Sequence, residues 1–139
     1  SSISSIISGI PGHEIENVRI TDILIEHRGG TLAQASGQLP EVEKKYPEPN
    51  MFGPTPSHGF FLRHVHGLEM NNVKIISQEP DARPAFVLED VHGAEFVGVR
   101  SPQVTGLPVF LLRNVGDVTV HRCPPVADQE IKQANEKDL

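Results

Sequence analysis

The chain has 139 residues, a formal charge of -6 with 12 Lys+Arg against 18 Asp+Glu, and a single cysteine, Cys123. That length holds one domain, burying about two thirds of its unfolded surface, and one thiol excludes an internal disulfide or a cysteine-built zinc site, so Cys123 reads as a small buried hydrophobe. No basic run exceeds Lys44-Lys45, which leaves nucleic acid without an electrostatic footprint, and no stretch reaches the roughly 18 consecutive apolar residues of a membrane span.

In chain order, the opening SSISSIISGI lacks the charged start and long apolar centre of a signal peptide. Because the chain begins with Ser1 rather than Met, either something has been removed before it or it is a piece of a longer protein. Ile15-Glu16-Asn17-Val18-Arg19-Ile20-Thr21-Asp22-Ile23-Leu24-Ile25 is the first, partial copy of a repeat. Residues 28–58 interrupt it with five prolines and four glycines and read as an inserted loop with a short helical piece around 39–45. Loops of that length in a compact domain are uncommon and are usually functional or disordered.

The clearest copies follow. Phe60-Phe61-Leu62-Arg63-His64-Val65-His66-Gly67-Leu68-Glu69-Met70-Asn71-Asn72-Val73 superposes on Phe86-Val87-Leu88-Glu89-Asp90-Val91-His92-Gly93-Ala94-Glu95-Phe96-Val97-Gly98-Val99. A third begins at Phe110-Leu111-Leu112-Arg113-Asn114-Val115. The aligned Val65, Val91 and Val115 lie 26 and 24 positions apart, while Ile15 precedes Val65 by 50, which is two periods or one period plus an insertion. Within each copy the apolar residues are spaced by two, as in Phe60/Leu62 and Leu68/Met70, which is the period of a strand with one buried face. Between the strands sits a short polar corner where Gly67 or Gly93 permits a left-handed bend.

Stacking such coils at the strand spacing of roughly 4.8 Å puts like positions on top of one another. The chain is therefore predicted to be all-β, a parallel β-helix of about four coils over residues 1–127, with 28–58 as the inserted loop. The stacking predicts an internal Phe column (Phe60, Phe86, Phe110) and a Leu column (Leu62, Leu88, Leu112). It also predicts a core column with Val73, Val99 and Cys123, an external column of alternating charge (Arg63, Glu89, Arg113) and a polar corner column (His64, Asp90, Asn114). Residues 128–139 are polar and form either a cap over the last coil or a frayed end.

The phrasing SGIPGHEIENVRITDILIEHRGG, the inserted YPEPNMFG, then GFFLRHVHGLEMNNVKI and DARPAFVLEDVHGAEFVGV resembles the C-terminal coils of glycoside hydrolase family 28, the polygalacturonase-like enzymes of the pectin-lyase superfamily. The resemblance spans roughly residues 5–125. It implies a right-handed parallel β-helix and a parent enzyme, secreted or periplasmic, that hydrolyses pectic polysaccharide with inversion. The catalytic segments the resemblance calls for (Asn-Thr-Asp, Asp-Asp, Gly-His-Gly, Arg-Ile-Lys) are missing: Gly12-His13 runs into Glu14, and Arg19-Ile20 into Thr21. No catalytic residue and no cofactor is carried over, and the chain is expected to be inactive alone.

Inverting hydrolysis needs two carboxyl groups roughly 6.5 to 9.5 Å apart. Glu41 and Glu43 beside Lys44, Lys45 and Tyr46 are the densest constellation. Tyr46 could stack on a sugar ring and the lysines meet a uronate, making these residues a substrate contact rather than a catalytic pair, or else a solvated charged loop. His64, His66 and His92 form a second group in which His92 stacks over His66; they are weak metal candidates, and local hydrogen bonding is the favoured reading. His13 and His58 sit in loop contexts. Arg83 reads as pairing with Asp81 or Glu79 ahead of Pro84, an anion contact being the alternative. A pectic polysaccharide is the expected ligand. The alternative is a non-catalytic structural or carbohydrate-binding module that self-associates, because its first coil is open, as a trimer or dimer packed through the long loop and exposed coil faces.

Overall fold

The computed structural model describes residues 4–31, 39–41 and 53–139. Six strands form one sheet: β1 (Ser5–Ser8), β2 (Ile15–Gly29), β3 (Phe60–Glu79), β4 (Phe86–Val97), β5 (Phe110–His121) and β6 (Gln129–Asp138). β1 and β2 both pair with β3, β3 with β4, and β4 with β5, all in parallel; β6 alone runs antiparallel, along β5. No helix occurs among the described residues. Residues 39–41, the described part of the expected helical piece, are irregular, and the rest of that piece lies outside the described residues.

Register follows the repeat. Phe60 opposes Phe86 and Phe86 opposes Phe110, and the same holds for Leu62, Leu88 and Leu112. Ile15 opposes Val65 directly, which decides between the two readings of the 50-residue spacing: it is one period enlarged by the insertion. β1 precedes β2 along the same edge of β3, with Ser5 opposite Phe60 and Ile7 opposite Leu62.

Three columns of left-handed backbone lie within the long strands or just past their ends, and the ladder skips these positions without changing register. The first is His64, Asp90 and Asn114 (φ 54, 51 and 50°); the second is Asn17, Gly67, Gly93 and Asp117 (55, 86, 76 and 50°); the third is Asp22, Asn72, Gly98 and Arg122 (58, 52, 62 and 54°). Left-handed backbone strains L-residues, and Gly, Asn, Asp and His tolerate it best, so the polar corners of the repeat have a conformational cause. The last copy has Asp117 and the first, partial copy Asn17 where the two between have glycine.

Between the columns the inward side chains pack in stacks. Phe86 lies parallel to Phe60 and Phe110, with ring centroids 5.8 and 4.9 Å away, and Phe96 meets Phe86 and Phe110 edge-on at 5.8 and 5.0 Å. Such offset and edge geometries suit the aromatic quadrupole. Val73, Val99 and Cys123 are all buried; in Cys123 burial is also what raises the thiol pKa above its usual value.

The 128–139 segment is ordered along the edge of β5. Ile131 buries itself opposite Val118, Ala134 lies opposite Val115, and the Leu139 backbone exchanges hydrogen bonds with Phe110. At the other end, β2 has a single strand partner among the described residues, with Leu24 65% and Ile23 38% exposed.

Candidate functional site

The corner column and the inserted segment meet. Residues 39–41 cross the outside of β3–β5 and enclose a cavity of about 550 Å³ against Arg63, His64, Glu89, Asp90, Arg113 and Asn114. Arg63 holds the segment: its Nη1 donates to the Leu39 carbonyl at 2.8 Å and its Nη2 to the Pro40 carbonyl at 3.2 Å, while Nε donates to Ser8 Oγ at 3.3 Å. Its guanidinium also lies over the Phe61 ring, 5.5 Å from the centroid. The expected charge column is in register, Arg63 opposite Glu89 and Glu89 opposite Arg113, but it is not external at its first member. Arg63 is buried, because backbone carbonyls of the crossing segment replace the water a guanidinium otherwise requires.

His64 is the second attachment. Its Nδ1 donates to Asp90 Oδ2 at 2.6 Å and its Nε2 to Glu41 Oε1. Ionised carboxylates only accept, so with Asp90 and Glu41 both ionised the two ring nitrogens each donate and the bridge favours the imidazolium. Burial works against that charge, but the hydrogen bonds to Asp90 and Glu41 outweigh it and hold the pKa above its ordinary value. Asp90 shows the reciprocal behaviour: burial would raise its pKa, and the bonds from His64 and His92 lower it. His92 Nε2 donates to Asp90 Oδ1 at 3.0 Å, and Asn114 Nδ2 donates to the same oxygen at 3.3 Å.

Of the expected sugar contacts, Glu41 is therefore brought to His64 and Arg63, while Glu43, Lys45 and Tyr46 lie outside the described residues. The three histidines do share one region. His66 and His92 are opposite one another in the sheet, and His64 and His92 share Asp90, but no group of three metal-ligating side chains is arranged around a common point among the described residues. Arg113 keeps a loose contact to Glu89, 4.0 Å at Nη1–Oε1, with its side chain 35% exposed. It is thus the cation of the cavity best placed to meet a ligand. A second groove of about 630 Å³ runs along the next face, floored by Gly67 and Gly93 and edged by Glu69, Glu95 and Thr119. Arg19 spans it, donating to Glu69 at 2.9 Å.

A separate polar centre lies around Asp81 and Arg83. Arg83 pairs with Asp81, as the first of its sequence readings has it, through Nε–Oδ1 and Nη2–Oδ2 bonds of 2.9 Å each. It also donates to the Thr55 carbonyl at 3.3 Å. Despite the burial that would raise it, the Asp81 pKa is lowered to about 2 by the Arg83 bonds. Beside this pair His27 Nε2 and His58 Nδ1 are hydrogen-bonded at 3.1 Å. His58 is buried; its position in a proline-rich loop gave no sequence signal of that. Comparison with family models, with curated proteins and with solved structures yields no match.

Proposed function

We propose that the chain is a right-handed parallel β-helix of about four coils, related to the C-terminal coils of glycoside hydrolase family 28, and that it contacts an acidic plant cell-wall polysaccharide without cleaving it alone. The β-helix reading is supported by the in-register parallel copies and the three left-handed columns, the pattern a chain needs to bend at the same points in every turn. The sugar reading rests on one observation: residues 39–41 lie against the corner column, with Arg113 and Asn114 beside carboxylates Glu89 and Asp90 in the same cavity. Guanidinium, amide and carboxylate groups set around a concave surface pair well with sugar hydroxyls and a uronate. The missing Asn-Thr-Asp, Asp-Asp and Gly-His-Gly segments argue against hydrolysis by residues 1–139.

Titration of the chain with oligogalacturonate, followed by amide NMR, tests this. Shifts are expected at Arg113, Asn114 and His64 and no reducing sugar should be released. Unchanged spectra at millimolar oligomer refute the binding, and hydrolysis abolished by Glu41→Ala or Glu43→Ala refutes the non-catalytic reading.

The runner-up, a self-associating structural module, is favoured by the exposed Leu24 and Ile23 on the single-partnered β2. Sedimentation distinguishes it: a trimer or dimer at micromolar concentration supports self-association, and a monomer excludes it.

A further inference from the structure

We infer that the His27–His58 pair is an acid-sensitive joint that fastens the first coil to the second. The two rings come from different places, His27 near the end of β2 and His58 just before β3, and their facing nitrogens are 3.1 Å apart with ring centroids at 5.1 Å. A hydrogen bond between two imidazoles needs one N–H and one lone pair. It holds one proton between the facing nitrogens, and a second proton turns it into two N–H groups pointing at each other.

The surroundings oppose that second proton. Burial, then the neighbouring His27, lowers the His58 pKa to about 4, with Arg83 lowering it further and Asp81 opposing. In His27 burial likewise dominates, Asp81 opposing it and Arg83 adding to it. Asp81 is already committed to Arg83 by two hydrogen bonds, so it neutralises the guanidinium rather than an added imidazolium.

What the joint holds is specific. The His58 backbone donates to the Pro84 carbonyl at 3.0 Å, anchoring 55–58 to the segment that leads into β4, while 55–58 also grips the start of the first coil through Ser4 N to Thr55 Oγ1 at 2.9 Å and Ser4 Oγ to Ser57 Oγ at 3.0 Å. Protonation separates β2 from this anchor. β4 and β5 carry none of these contacts.

Hydrogen exchange of the full chain, corrected for the intrinsic pH dependence of exchange, tests the joint. Between pH 6.5 and 4, opening of β2 should increase roughly tenfold per pH unit while β4 and β5 stay protected. In His27→Gln with His58→Asn, whose amides can donate and accept but do not titrate, that increase should vanish. Equal acid opening in the double variant overturns the inference, as does uniform loss across β2, β4 and β5. If the double variant does not fold, the His58 ring signals of the unaltered chain decide: a ring neutral at pH 5 supports the joint, and titration near 6.5 with β2 still protected overturns it.

Discussion

Arg83 and Asp81, two residues apart, close a fork-to-fork ion pair with both side chains almost fully buried, 2% and 1% exposed. Removing one partner of such a pair strands the other charge without water. Asp81→Ala is therefore expected to cost about 3 to 5 kcal/mol, read from the urea midpoint. Arg83→Lys should recover only part of the native stability, because an ammonium cannot make two parallel bonds to one carboxylate.

His64 imposes a pH dependence of the opposite sign to the His27–His58 pair. Its folded pKa is raised, so the stability from the Glu41–His64–Asp90 bridge is complete below the unfolded value near 6.5 and is lost as pH rises through the folded value. The thermal midpoint of the unaltered chain should fall on going from pH 6 to pH 8. His64→Asn, which keeps the left-handed corner but carries no charge, should flatten that slope.

Phe86 has a ring on each side and Phe96 at its edge, whereas Phe60 ends the stack. Phe86→Ala should cost about 3 to 5 kcal/mol, and Phe60→Ala less, since only one neighbour loses its partner. Chemical denaturation of the two variants gives the comparison directly.

Gly67 and Gly93 occupy equivalent corners but face different neighbours. A Cβ at Gly67 would stand 2.9 Å from Asn17 Oδ1, and one at Gly93 no closer than 3.8 Å to any atom outside its own neighbours. Both substitutions incur the left-handed strain of about 1 to 2 kcal/mol. Gly67→Ala should therefore exceed Gly93→Ala in lost stability, measured by the same denaturation.

The features readable from residues alone are those that stacking repeats. Phe60, Phe86 and Phe110 advertise their column because parallel copies in register place the same position over the same core, and Asn, Asp, His and Gly mark the corners because left-handed backbone selects them. Arg63 misled because it looks like Arg113 in the repeat, and only the landing of residues 39–41 buries it. The His27–His58 bond joins residues outside the aligned blocks. The strand at β6 is not foreseeable because QEIKQANEKD has almost no apolar alternation; its backbone pairing, with little more than Ile131 and Ala134 turned inward, lies along the edge of β5.

The spacing between paired strands also sets an order of assembly. β3, β4 and β5 find one another across 24 to 26 residues, but β2 must close a span of 50 to reach β3. Only the β5–β6 hairpin, in which Val120 pairs with Gln129, escapes such a closure, so folding is expected to be slow for a chain of this size, beginning in β3, β4, β5 and β6 and recruiting β1 and β2 afterwards. The strands added last are then expected to be the first to detach, and a cell or an experimenter could remove them by proteolysis while the remaining sheet keeps its form.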